Sequence, residues 1–512
     1  MDQGTSGISV VEIPPRSQAI PLRRESVAAF IGPAPRGPVN IPVAVRSLEE
    51  FLARFGVPGY LSRMELLLYQ YFENGGTLAV VVRVCRTAQR NRITLPGPAG
   101  DLVMEARNPG PLEHLRASVD HDGIAATDRE RFNLVIHRCR SPAQPLVEEQ
   151  EVYQGLSLAP DSADYIANVL ARSALVQLAA AVPAERPTRT VGSGFAVNYI
   201  YSRCEWQGDN TPTDYDLIGS REEGTGLFAL EQVPWVDFLT LVPGSSGGNL
   251  GPVVLFAADR YCRERQALLV LDPPESWSEV SDAVSAQRQR GFASPNAITY
   301  FPALESPPHG GPGGHLSAAG AIAGVLATTG LQPRGARPLS LGRSRPSLAL
   351  DEADVHQLSR LGVNVLARSG GRIELSGLVT MARSGGVASW NNLRERRIAL
   401  FITNSLLRHT RWAAFETPGD LLWSDVSEQV GQFLAGLHAE GLLAGESARQ
   451  AYYLRCDGEI NPATSGGTRA FALVVGIALA RPGEFIAFRI EHGAGASQVR
   501  ELSWEPGLAL AV

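Results

Sequence analysis

Gly244-Ser245-Ser246-Gly247-Gly248 satisfies Gly-x-Ser-x-Gly, the spacing of a nucleophile elbow. The chemistry would be acyl transfer, with Ser246 as nucleophile and His309, His315, His356, His409 or His438 as base. Two glycines and one serine meet the pattern in many βα loops. An elbow also turns straight from strand into helix, whereas this chain first runs through Asn249-Leu250-Gly251-Pro252. The segment therefore reads as a loop, and a serine hydrolase using Ser246 is the rival reading. Asp209, Asp214 and Asp216 could offer carboxylates to calcium. They lack the glycine and closing glutamate of an EF-hand loop, and a solvated turn rich in Asp and Asn accounts for them. Gly310 to His315 (GGPGGH) has the glycines of a phosphate loop but no Gly-Lys-Ser/Thr. Cys85, Cys139, Cys204, Cys262 and Cys456 form no Cys-x-x-Cys pair, and no two histidines stand four apart. Neither a catalytic set, nor a metal site, nor a cofactor is expected.

The elements around these residues indicate layers. Ser26 to Gly32 and Leu78 to Val84 are apolar runs of buried strands. Between them, Ser47-Leu48-Glu49-Glu50 is a capping box for a helix ending near Gly56, and a second helix runs from Arg63 to Asn74. Residues 86–150, rich in Pro, Gly and Arg, read as a small inserted β domain. Residues 160–180 read as helix. Strand and helix patterns then alternate through DFLTLVPG, VVLFAADRYCRERQ, ALLVLDPP and NAITYFPAL, which predicts a parallel α/β layer. Residues 303–350 read as loop-rich. Helices follow at 352–362, 394–410 and 423–440, the last with Val426, Val430, Phe433, Leu434 and Leu437 on one face.

Composition narrows the function classes. The 46 basic residues are all arginine and face 52 acids, a net charge of −6 without basic clusters. That pattern argues against a nucleic-acid partner. Sparse cysteine fits a reducing compartment. No apolar run reaches the length of a membrane span, and the first residues lack a signal-peptide pattern.

Several ordered segments resemble the contractile tail sheath family: GISVVEIP, SVAAFIGPAPRGPVN, YFENGGTLAVVVRV, NPG followed by RFNLVI, RYCRERQALLVLDPP, ERRIALFITNSLLRHTRWAAFETPGDLLW and EFIAFRIE. Together they span about two thirds of the chain. Two landmarks depart: PLEHL follows NPG in place of Trp-Gly-Asn, and LSGLVTMARSGGVASW replaces the family's Trp-Gly-Ala-Arg-Thr segment. The resemblance implies an α/β and α+β multidomain chain. Its expected parts are an N-terminal arm (1–20), an inner domain built from both chain ends (21–85 and 355–490), the inserted β domain (86–150), a subtilisin-like α/β middle domain (151–354) and a C-terminal arm (491–512). It implies a non-enzymatic subunit that stacks in hexameric rings around an inner tube protein and meets baseplate and tail terminator proteins, with no membrane insertion. Assembly would take place in the bacterial cytoplasm, and the product would be a phage tail or an injection particle. Another tail or baseplate component is the alternative within this class. The arms would use Ile8, Val10, Val11, Ile13, Leu508, Leu510 and Val512 to add strands to neighbours. Arg396, Arg397, Asp425 and Glu428 are the expected contacts with tube or neighbour.

Overall fold

The computed structural model describes residues 19–57, 62–141, 143, 145–191, 197–203, 211–244, 249–289, 291–305, 315–333, 339–341, 345–369, 372–382, 388–462, 471–493 and 497–502. Ser246, His309 and the arm residues Ile8, Val10, Val11, Ile13, Leu508, Leu510 and Val512 lie outside them.

The chain opens with β1 (Ala28–Gly32), β2 (Pro42–Val45), α1 (Leu48–Phe55), α2 (Arg63–Glu73) and β3 (Ala79–Arg83). As the apolar runs require, β1 and β3 are buried on both faces. Ser47 Oγ accepts the Glu50 N–H at 3.2 Å, but the Glu50 carboxylate turns to the Arg46 N–H, so only half of the expected box forms.

A β module follows: β4 (Arg92–Leu95), β5 (Leu102–Ala106), β6 (His114–Asp120), β7 (Arg131–Cys139), β8 (Val147–Ser157), α3 (Ile166–Leu170), β9 (Val176–Leu178) and β10 (Ile200–Tyr201). Its sheets run β10-β6-β7-β8 and β4-β5-β9, closed over Ile93, Met104, Val119, Phe132 and Ile136. The module therefore draws strands from well beyond residue 150. The helix expected over 160–180 is shortened to α3, because Val176–Leu178 completes the sheet beside β5. Tertiary pairing here overrides local helix propensity. Arg83, at the end of β3, ties the module to the body. Its guanidinium donates to the carbonyls of Ala34, Gly37 and Pro109 at 2.8, 2.6 and 2.5 Å.

The next stretch holds α4 (Asp214–Ile218), β11 (Phe238–Leu241), α5 (Pro252–Arg265), β12 (Leu268–Leu271), α6 (Val280–Gln289), β13 (Ala297–Phe301), β14 (Leu304–Glu305), β15 (His315–Leu316), α7 (Ala319–Thr329), β16 (Ser340–Leu341), α8 (Glu352–Arg360), β17 (Asn364–Ser369) and β18 (Arg372–Ser376). One nine-stranded sheet has the order β16-β18-β17-β13-β12-β11-β1-β3-β2. Strands β3, β1, β11, β12, β13 and β17 are mutually parallel, with antiparallel strands at both edges. Alternate residues serve opposite faces: Phe30, Val81 and Val270 pack with α1, α2 and α7, and Ile31, Val82 and Leu271 with α5. The expected inner domain is thereby corrected. Residues 28–83 and 364–376 hydrogen-bond into this one α/β sheet, and the separate C-terminal core is built mainly from about residue 390 onward. Within the expected loop-rich stretch 303–350, α7 is a buried helix.

The C-terminal part comprises α9 (Leu393–His409), α10 (Asp420–Ala439), α11 (Ala448–Ala451) and the sheet β19 (Tyr452–Arg455), β20 (Phe471–Ala478), β21 (Phe485–His492) and β22 (Ser497–Leu502), in that order. Val426, Val430, Phe433, Leu434 and Leu437 all point into its core, as their spacing predicts. Two expectations about the arms change. Ile20 is buried in this core, so residue 20, expected in the first arm, belongs to the subunit body. Residues 497–502, expected in the second arm, pair antiparallel with β21 of the same chain and belong to the C-terminal sheet.

Candidate assembly surfaces

α9 joins the two bodies. Leu393 and Leu400 pack on the α/β core, while Ile398, Ile402 and Leu406 pack on the C-terminal core. A helix covered on both sides carries its charges into the junction. Arg396 is buried, donates to Asn296 Oδ1 at 2.6 Å and lies 4.5 Å over the Trp390 ring. Arg397 donates to the Leu326 carbonyl at 2.6 Å, capping the C-terminal turn of α7. Burial pushes both guanidinium pKa values down to about 10. These two arginines were expected at a tube or neighbour contact. Arg396 is buried within the subunit, whereas Arg397 is half-buried and lines an open cleft.

Further polar ties cross the same junction. Arg24 forks onto Asp237 at 2.7 and 2.9 Å and is flanked by Trp235 and Phe401, 5.3 and 5.5 Å away. Beside it opens a cleft of about 280 Å³, lined among others by Arg23, Gln266, Arg397 and Glu440. No local sequence pattern marks Arg24 or Trp235, whose contacts are made only by the tertiary fold.

The two acids of the same expectation lie on α10. Glu428 is exposed on α10, and Asp425 is half-buried one turn earlier. Around them the start of α10 is acidic and apolar together: Phe415 and Leu421 are exposed beside exposed Glu416 and Asp420. A second exposed apolar group comprises Tyr215 of α4 with Val253 and Phe256 of α5. Sequence periodicity could have found neither, because an exposed Leu or Phe inside an amphipathic pattern resembles a core position.

Several of the candidate titratable groups serve the fold. Asp214 accepts the Gly251 N–H and Asp216 the Thr213 N–H, so both serve helix ends. His409 bonds the Ser405 carbonyl and His438 the Gly445 carbonyl. Burial raises the thiol pKa of Cys85, Cys139, Cys262 and Cys456. Among the described residues no group of three His, Cys, Asp or Glu could hold a metal, and no helix is long and apolar enough to cross a membrane.

No protein-family model matches the chain, and no curated protein matches it in sequence. Solved structures do match. The sheath tail protein from Listeria innocua aligns at a TM-score of 0.61 and 12% identity, covering 94% of this chain and 98% of its own. The sheath tail protein from Desulfitobacterium hafniense aligns at 0.54 and 11% identity, covering 94% and 100%. The sheath complex of the PVC extracellular contractile injection system, in its contracted state, aligns at 0.51 and 14% identity, covering 95% and 97%. The chain thus has the fold of these sheath proteins.

Proposed function

We propose that this chain is the structural subunit of a contractile tail sheath. It polymerises as stacked hexameric rings around an inner tube and drives that tube through a target envelope by contracting. The observation that carries this reading is the extent of the match. Sheath proteins align over 94% of this chain and nearly all of their own length. Common α/β layers recur across unrelated functions, but here the β module, the nine-stranded sheet and the C-terminal sheet align together. In this reading the parallel-sheet body corresponds to the family's subtilisin-like middle domain, and the β module sits outward from it. The partners are further copies, the tube, the baseplate and the terminator. Neither a nucleic acid nor a cofactor takes part, and assembly occurs in the bacterial cytoplasm.

The reading assigns the contact role to the acidic start of α10, with Asp425 and Glu428, and to the arm residues Ile8, Val10, Val11, Ile13, Leu508, Leu510 and Val512. The C-terminal sheet supports the arms, because its outer strands β19 and β22 offer edges to which a neighbour's strand could pair. Contraction needs no active site. It needs a subunit with two packings, the free-energy difference being summed over many copies.

Sedimentation velocity of the purified chain tests this reading, together with ester turnover. The full-length protein should sediment as large polymers, hydrolyse no activated ester and behave identically as Ser246→Ala. Turnover that disappears in Ser246→Ala would instead establish the hydrolase.

A further inference from the structure

Exposed large apolar side chains also occur elsewhere, at Leu146, Val147 and Val152 for example, but the two groups on α10 and α5 differ in the charge that surrounds them. At the start of α10, Leu421 is 82% and Phe415 49% exposed, and the charged exposed side chains of the stretch, Glu416, Asp420 and Glu428, are acids, set among exposed Thr417, Pro418 and Ser424. On α5, Val253 and Phe256 are each 52% exposed and stand one turn apart, and α4, which packs on α5, carries Tyr215, 73% exposed. The helical stripe that carries Phe256 continues through Arg260 and Arg263, whose side chains are 83% and 51% exposed.

Both arginines already hold acids of their own helix, Arg260 with Glu264 at 3.1 Å and Arg263 with Asp259 at 3.0 Å. A guanidinium has five N–H donors in a planar fork, and each of these bonds uses Nε, leaving the outer nitrogens for a second carboxylate. Phe256 is braced edge-on by Phe292 at 5.5 Å, which fixes one side of the stripe. Large exposed apolar groups rimmed by polar residues mark interaction sites. One of these patches is an apolar knob with an acidic rim, and the other an apolar stripe with a basic end.

We propose that the α10 knob of one copy seats on the α5 stripe of a neighbouring copy. Leu421 and Phe415 would lie against Val253, Phe256 and Tyr215, and Glu416 and Glu428 would reach Arg260 and Arg263. The proposal rests on the sheath reading and names the partner of its acidic surface. Two different patches of one chain meeting each other make a heterologous contact, the kind that generates rings and open helical stacks. A self-complementary contact would end at a dimer.

The test is a charge swap in the full chain, read as the concentration at which polymer first sediments. Arg260→Glu with Arg263→Glu should raise that concentration about tenfold or more, and so should Glu416→Arg with Glu428→Arg. All four changes on one chain restore opposite charges and should return it to within about threefold of wild type. Leu421→Ser and Phe256→Ser give an uncharged readout: if the residues share a contact, their combined effect is smaller than the product of the two. The contact is overturned if wild type polymerises and either charge-reversed pair polymerises equally well. It is equally overturned if the four-fold variant is worse than both pairs. Loss of tube binding by the acid-reversed pair alone, with subunit stacking intact, would assign the knob to the tube. A wild type that forms no polymer would overturn the sheath reading itself.

Discussion

His492, at the end of β21, is fully buried between two hydroxyls. Its Nε2 lies 2.8 Å from Thr410 Oγ1 and its Nδ1 2.8 Å from Ser497 Oγ, with the ring stacked on Phe471. Burial is the larger cause and nearby Arg411 the smaller in pushing its pKa from 6.5 down to about 4. Between those values the unfolded chain binds the proton and the folded chain does not. Stability therefore holds above pH 6.5, falls as the pH drops, and levels off below about 4. Urea titrations from pH 7 to 4 should show this loss in wild type and a flatter profile in His492→Gln. Identical slopes would mean that other groups govern acid sensitivity. The same burial explains a failure of sequence reading. Arg396 and Arg397 are expected from the sequence at a tube or neighbour contact, yet α9 is covered on both sides, and they bond Asn296 and the Leu326 carbonyl of the same chain. On α10 the apolar face is legible from its spacing, and Glu428, off that face, is exposed, while Asp425 is half-buried.

At the scale of elements, strong period and capping were readable, and small residues were not. The apolar stripe of α10 and the buried runs β1 and β3 all stand where their patterns put them. By contrast α7, AGAIAGVLATT, has no polar face to give a helical period, because it is buried almost throughout. Its glycines are there for close approach to α2. A Cβ on Gly320 would stand 2.1 Å from the Leu67 carbonyl oxygen, and one on Gly324 2.4 Å from that of Tyr71. Gly320→Ala must therefore separate two packed helices and should cost about 1–3 kcal/mol. On α10, a Cβ at Gly431 meets nothing within 4 Å, so Gly431→Ala should stabilise by up to about 1 kcal/mol. Denaturant midpoints of the two variants should move in opposite directions. If both stabilise, the α2–α7 packing described here is wrong.

For the whole molecule, the order of layers was legible but their membership was not. Local patterns show that 28–32 and 79–83 are strands, and only pairing reveals that they extend the sheet through β11. The β module was seen as an insertion, yet β9 and β10 join it from residues that sequence assigned to the next domain. Assembly is the property that belongs to this scale. Removing residues 1–18 leaves Ile20 in its core, so the truncated chain should keep its circular dichroism and melting point while failing to polymerise. Removing 503–512 leaves β22 paired with β21 and should do the same. Truncated chains that still assemble, or that do not fold, would contradict the intersubunit role of the arms.

The central claim is that the subunit builds a tubular polymer, and negative-stain electron microscopy of the purified full-length chain tests it most directly. Hollow, transversely striated cylinders are the predicted result, with tube protein filling the lumen when it is co-expressed. A monodisperse monomer with no tendency to polymerise at high concentration, with or without tube protein, would contradict the account.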